Sequence, residues 1–225
     1  MTMPRPGETP PALPFRRMRL AILGAGWLGG SVGRNWVRAG HEVMFASRHP
    51  DGLAQMVART GPGASAGSLL DAAAFCDAAL LSVPYEPVPD IAALVGEALR
   101  GKVLINASNQ PFDRGHDLAR RADAIGLGPL TAELFPTAGV AIAFSAVDAT
   151  DIAESFDRNP SDKLAVPVSA DAEDAMTTAV QLIHDAGCVP LVIGGLDSSK
   201  SFMRHTRPFR ANTTLDPLRR AFGLG

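Results

Sequence analysis

The chain has 225 residues, of which 46% are hydrophobic and 20% charged, and a formal net charge of −2. This is ordinary globular usage, long enough to bury a substantial core. With no Lys/Arg run beyond short pairs, the charge provides no field to attract nucleic acid or an anionic membrane, so neither is expected as a partner.

Met1 to Pro14 holds five prolines and no continuous apolar stretch. It reads as part of a flexible segment over 1–17, unlike a secretory signal or membrane anchor. No later run reaches the roughly 18 apolar residues needed to span a bilayer. Cys76 and Cys188 lack metal-ligand or redox spacing and sit in apolar surroundings. They read as buried free thiols in a reducing cytoplasm, and no metal centre is expected.

Leu20 to Leu23 is a short apolar strand, followed by Gly24-Ala25-Gly26-Trp27-Leu28-Gly29-Gly30 and a helical pattern with Val32, Trp36 and Val37 on its apolar face. A strand, a G-x-G-x-x-G turn and a helix in this order form a dinucleotide-binding crossover. Gly24 makes the turn, Gly26 lets backbone approach a pyrophosphate, and Gly29 lets the helix pack on the sheet, while the amides near Trp27 and Leu28 face the anion. A second apolar strand, Val43 to Ala46, ends in Ser47-Arg48-His49 where an acidic residue usually holds a ribose. An arginine there can pair with a 2′-phosphate, which points to NADP(H). Asp51 lies close enough in sequence to reach a ribose, and Arg48 as a solvated loop charge is the plainer alternative.

Further apolar runs fall at Ala78–Val83, Val103–Ile105, Val140–Phe144, Leu164–Val168 and Val189–Ile193, with a very short strand after Pro62-Gly63. Near-continuous apolarity fits strands covered on both faces, hence a doubly wound, mainly parallel α/β sheet of Rossmann type. Helices are expected over 71–75, over 87–99 with Ile91, Leu94, Val95 and Leu99 on one face, and over 171–186. The binding domain with its late strands and helix is drawn over 18–195. A compact C-terminal tail over 196–225 contains a short helix at 217–222, and it can cover the ligand or pair with a second subunit as a homodimer.

Ligands of such sheets bind beyond the carboxyl ends of the strands. Ser82, Val83 and Pro84 after the fourth strand, and Asn106, Ser108 and Asn109 after the fifth, are therefore candidates to line the nicotinamide end; each is also a residue type that favours ordinary turns. Tyr85, His116 and His205 are the candidate proton donors.

Taken together, GAGWLGG, AGHEVMFASRHP, LLSVPYEPVPDI, GKVLINASNQP and NPSDKLAVPVSADAEDA followed by DAGCVPLVIGG resemble the NADPH-dependent reductases of the deazaflavin coenzyme F420, over about residues 18–195. The resemblance implies contact of Ser47 and Arg48 with the 2′-phosphate, and places Ser82, Val83, Pro84 and Asn109 near the cofactor. Two stretches depart from the family. Ile142-Ala143-Phe144-Ser145 lacks an ionisable group, and INASNQPFDRGHD replaces a strand ending in Asn-Pro-Leu. Both fall where a hydride partner should lie. The acceptor therefore stays open between a deazaflavin, a flavin, an imine, a carbonyl and a ferric complex, and a non-catalytic module that senses NADP(H) is the reading from a different class.

Overall fold

The computed structural model describes residues 3–113 and 115–224. The first two residues of the proline-rich segment, Arg114 and the last residue of the tail lie outside them. In chain order the elements are β1 (Arg19–Leu23), α1 (Trp27–Ala39), β2 (Glu42–Ala46), α2 (Ala54–Thr60), β3 (Ala64–Gly67), α3 (Leu69–Phe75), β4 (Ala78–Leu81), α4 (Val88–Val95) and β5 (Val103–Asn106). There follow α5 (Asp117–Ile125), α6 (Leu127–Leu134), β6 (Gly139–Ile142), α7 (Ala149–Ser155), β7 (Ala165–Ala170), α8 (Glu173–Asp185), β8 (Val189–Gly194) and α9 (Leu215–Ala221).

The strands form one sheet in the order β3-β2-β1-β4-β5-β6-β7-β8. All neighbours pair parallel except β6 and β7, where Ala141 faces Ala170 and Ile142 faces Ser169 in antiparallel register. The Rossmann-type α/β fold expected from the apolar runs is thus present. Every residue of β4, β5 and β7 is buried, as a strand covered on both faces requires. The chain moves outward from β1 to β2 and β3, then crosses back to β4. That places the reversal of strand order between β1 and β4, where such sheets open a crevice.

Two buried polar side chains fix α1 against the rest of the fold. Asn35 Nδ2 donates to the carbonyls of Ile152 and Ala186 at 2.8 and 2.9 Å, and Trp36 Nε1 donates to the Leu182 carbonyl at 2.8 Å. Each stranded carbonyl would cost about 1–3 kcal/mol, so these bonds hold the helix whose N-terminus opens on the crevice.

Several elements differ from expectation. The proline-rich segment was expected to be flexible, yet Gly7 N donates to the Val192 carbonyl and Val192 N to the Glu8 carbonyl. Leu13 N reaches Gln181 Oε1, and His184 Nε2 lies 2.8 Å from the Pro10 carbonyl. An edge strand with unpaired backbone groups attracts such a cover, and prolines suit it because they need no donor. Helices α2, α5, α6 and α7 were not anticipated: α2, α6 and α7 span only seven or eight residues, and α5, although its buried Leu118, Ala119 and Ala122 share one face, is only nine residues long. The expected helix over 87–99 ends at Val95 and a turn leads on to Leu99; its buried face is Val88, Ile91, Ala92 and Val95 with Leu99, while Leu94, expected on that face, is exposed.

Because β7 and β8 run against the other strands, the carboxyl end of β8 points to the far edge. The tail must therefore travel back. It crosses α6 as a 3-10 segment, Leu196–Phe202, with Ser199 Oγ accepting from Gly128 N at 3.0 Å. It then returns to the crevice edge, where Arg210 N donates to the Ala146 carbonyl and Arg210 pairs with Asp148. Asn212 closes the attachment by accepting from Asp148 N at 2.9 Å and donating to Asp148 Oδ2 at 2.6 Å.

Candidate functional site

The glycine turn is built by close approach. Gly24 has φ of +108°, and a Cβ there would strike Val83 and the Ser82 carbonyl. A Cβ on Gly29 would fall against the Gly24 carbonyl and Ser82 Oγ, so the third glycine seats α1 on the sheet. Gly26 is the opposite case, since a Cβ there would meet no protein atom within 4 Å. Its free face opens to solvent beside the first turn of α1.

That turn is electrostatically prepared for an anion. Gly26 is the N-cap, no side chain caps the helix, and no acidic residue lies in the first turn. The early amides of a 13-residue helix therefore keep their partial positive charge unopposed. The amides of Gly24 and Ala25 are committed to the Ala46 carbonyl at 3.3 Å, which leaves Gly26, Trp27 and Leu28 as the cradle. At the end of β2, Ser47 Oγ accepts from His49 N at 3.1 Å, while Arg48 and His49 are exposed. Among the described residues Arg48 forms no ion pair, so its guanidinium is free for a ligand. Asp51 sits exposed in the following 3-10 turn.

On the other side of the turn lie two adjoining cavities of about 530 and 370 Å³, which share Leu28, Asn109, Phe112 and Arg204. Trp27 lines the first, and Ser82, Val83, Pro84 and Ser108 line the second. The candidate residues from the ends of β4 and β5 thus meet Leu28 in one cleft, with Ser47 and Arg48 across the turn at the end of β2.

Not every candidate reaches it with a free side chain. Ser82 Oγ donates to the Gly24 carbonyl at 2.7 Å and locks the turn. Asn106 is fully buried, with Nδ2 donating to Thr131 Oγ1 and Oδ1 accepting from Ser108 N; its role is to brace the β5 turn and not to touch a ligand. Asn109 Nδ2 donates to the Ser145 carbonyl at 2.9 Å, which leaves its Oδ1 buried and unpaired.

The proton donors fare worse. Tyr85 is fully buried, and burial pushes its hydroxyl up to about 12. Its oxygen lies 3.0 Å from Thr131 Oγ1, which already donates to the Leu127 carbonyl and accepts from Asn106 Nδ2. The tyrosine proton is therefore the one donated to Thr131, so that although Tyr85 lines the second cavity its hydroxyl hydrogen is already committed. His116 caps α5 by accepting from Leu118 N and lines none of these cavities. His205 is exposed and lines a third, adjacent cavity of about 270 Å³ with Gln110, Pro111, Phe112 and Arg204.

Three residues not named individually as candidates also belong to the site. Arg204 lines all three cavities, its guanidinium 3.8 Å over the Phe112 ring and 5.6 Å from that of Phe209. Phe112 is 80% exposed at the rim, as is Trp27 at 75%. Gln110 is only 6% exposed, and its Oε1 has no partner. Gln110 and Phe112 lie in the stretch INASNQPFDRGHD that departs from the family pattern, but an arginine in an irregular tail follows no period, so only convergence in space joins Arg204 to them.

Comparison with known proteins agrees with this geometry. Residues 19–110 match the family described as NADP oxidoreductase, coenzyme F420-dependent. That stretch runs from β1 to the turn after β5 and includes the glycine turn, Arg48, Ser82 and Asn109. A structure described as an F420-dependent NADP-reductase from Arthrobacter sp. FB24 superposes with a TM-score of 0.70 at 22% identity, covering 82% of this chain and 88% of that one. A hypothetical protein from Sinorhizobium meliloti gives 0.73 at 27% identity, covering 89% and 96%. The 3-hydroxyisobutyrate dehydrogenase of Mycobacterium tuberculosis gives 0.61 at 21% identity, and there this chain matches 57% of a longer protein. The matched family and two of these neighbours carry oxidoreductase names, and all three structures share the fold of this chain. Among the described residues no His/Cys/Asp/Glu group could hold a metal, and no helix is long and apolar enough to cross a membrane.

Proposed function

We propose that this chain is an NADPH-dependent oxidoreductase that passes hydride between NADP(H) and a planar acceptor of the deazaflavin type. The observation that carries the reading is the uncapped α1 N-terminus beside the open face of Gly26, continuous with a cleft at the β1/β4 reversal. The amides of residues 26–28 would hold the pyrophosphate. Ser47 and Arg48 would take the 2′-phosphate, and Val83, Pro84 and Asn109 would flank the nicotinamide end. Bound NADPH would supply the hydride, leaving NADP⁺ and, with one proton from solvent, the reduced acceptor.

A planar redox cofactor needs mainly orientation from the protein, because the electron-accepting chemistry is its own. An imine or carbonyl needs a positioned acid. Tyr85 is tied to Thr131 and His116 lies away from the cleft, which leaves only His205, in the adjoining cavity, as a donor for an imine or carbonyl. The first class of acceptor is favoured because it needs none. The test is NADPH oxidation followed with a deazaflavin, a flavin, a ferric complex and a cyclic imine in parallel, beside a titration of NADPH binding. Turnover with the deazaflavin is expected. Tight binding with no hydride transfer to any of the four would leave the sensing module as the better account.

A further inference from the structure

Resting on that reading, we propose that Arg204, stacked on Phe112, selects an acceptor that carries an oxyanion, a carboxylate or a phosphate, beside its planar ring. The acids of the first cavity are already matched, whereas Glu86 stands exposed on the rim of the second and Asp123 lines the third. Asp148 pairs with Arg210, and Asp151 with Arg158. Among the described residues Arg204 forms no ion pair, and its buried Nε has no hydrogen-bond partner. Burial and the like charge of Arg210 both work against this guanidinium, holding it below its ordinary value. A half-buried cation without a counter-ion is costly, and an incoming oxyanion relieves that cost with a charge-assisted, two-pronged hydrogen bond.

The surroundings point the same way. The guanidinium carbon lies 3.8 Å over the Phe112 ring, and among the described residues no hydrogen bond occupies the terminal Nη donors, which are the ones left for a ligand while Nε is buried. Gln110 Oε1 is an unpaired acceptor in a side chain more than nine-tenths buried, so it calls for an N–H or O–H from the same ligand. The exposed rings of Trp27 and Phe112 rim the opening with flat apolar surface. Arg204 stands on the tail and shares two cavities with Gln110 and Pro111 beyond β5, and it also lines the cavity that contains Trp27 and Leu28 of the anion cradle. Its assignment to the acceptor therefore rests on acceptor affinity changing while NADPH affinity does not. The Asp148–Asn212 bonds hold that tail segment in place, with His205, Arg210 and Asn212 all kept at positive φ.

The test uses two pairs of planar compounds that share a ring and differ in an oxyanion: riboflavin against FMN, and the neutral ribityl deazaflavin against coenzyme F420. Dissociation constants are measured by fluorescence on the full chain saturated with NADP⁺, so the readout does not depend on turnover. At least one oxyanion-bearing member is expected to bind about tenfold tighter than its neutral partner, the loss expected when one charged hydrogen bond is missing. Arg204→Gln is expected to bring that ratio close to one, and Arg204→Lys to restore part of it. NADPH affinity should move less than twofold in both variants, and unfolding curves should match the parent. Equal binding within both pairs, or no binding of any member, overturns the proposal. Loss of NADPH affinity by the same factor in Arg204→Gln also overturns it, by returning the residue to the dinucleotide site. If the pairs discriminate but no hydride is transferred, recognition stands and the proposed activity fails.

Discussion

Ser82 Oγ donates to the Gly24 carbonyl at 2.7 Å, tying the end of β4 to the turn that leaves β1. The bond spans the reversal of strand order, so the floor of the crevice is one braced unit. The two glycines beyond it are constrained in opposite ways, by packing at Gly29 and by free space at Gly26.

This contrast yields a paired prediction. Gly26→Val should leave the unfolding midpoint within about 0.5 kcal/mol of the parent, as for a surface change, while NADPH and NADH binding both fall at least about tenfold because the side chain stands where the pyrophosphate would approach. Gly29→Ala should lose both stability and binding, by about 1–3 kcal/mol in stability, because its methyl group forces α1 away from the sheet. Chemical unfolding and dinucleotide titration of the two variants check this. Undiminished binding in Gly26→Val would remove the pyrophosphate from this turn.

Arg48 tests the choice of nucleotide. Its guanidinium is exposed and, among the described residues, in no ion pair, so removing it should cost the fold nothing measurable. Arg48→Ala should weaken NADPH by roughly tenfold or more, a charged contact to phosphate being worth about 1.5–3 kcal/mol, and leave NADH almost unchanged. Isothermal titration with both nucleotides decides it. Equal losses would mean that Arg48 contacts something common to the two.

Tyr85 should prove structural. Tyr85→Phe removes the hydrogen bond to Thr131 Oγ1, which keeps its contacts to Asn106 and Leu127, so about 0.5–1.5 kcal/mol of stability should be lost. The rate of NADPH oxidation with the best acceptor should stay within about twofold of the parent, far from the hundredfold or greater fall expected on losing a general acid. A large drop in rate at unchanged KM would restore Tyr85 as a donor.

Legibility of the fold and site followed the length and regularity of each signal. β1, α1 and β2 were legible because apolar runs, glycine spacing and the absence of an acid after Ala46 are local features. The sheet was legible because buried strands must be apolar throughout. Short helices such as α6 and α7 were not, since seven or eight residues make too few turns to show a period. The nicotinamide-side residues were legible as positions but not as roles. Ser82 and Asn106 stand at strand ends, where ligands bind, yet their side chains turn inward to the backbone and to Thr131. Arg204 was invisible for a topological reason. The antiparallel β6–β7 pairing sends β8 toward the far edge, and the tail then brings residues from nearly a hundred positions away back to Phe112.

The buried acids predict how stability responds to alkali. Burial pushes the Cys76 thiol from 9.0 up to about 11 and the Cys188 thiol up to about 12, and it raises Tyr85 from 10.0 to about 12. Each group keeps its proton longer folded than unfolded, so the unfolded chain releases protons first and stability falls as pH rises. The contribution is whole below pH 9, the ordinary thiol value, and is lost progressively toward about pH 12. Urea unfolding at about pH 8 and about pH 10.5 should show a loss on the order of 1–2 kcal/mol per buried thiol at the higher pH. A Cys76→Ala, Cys188→Ala double variant should show a correspondingly smaller drop, although its stability at the lower pH is reduced by the two small cavities. Iodoacetamide supplies an independent check, since thiols kept protonated and out of solvent react only after unfolding. Rapid labelling of the native chain near pH 8 would show that the thiols are accessible and ionised, and the alkaline slope would then need another source.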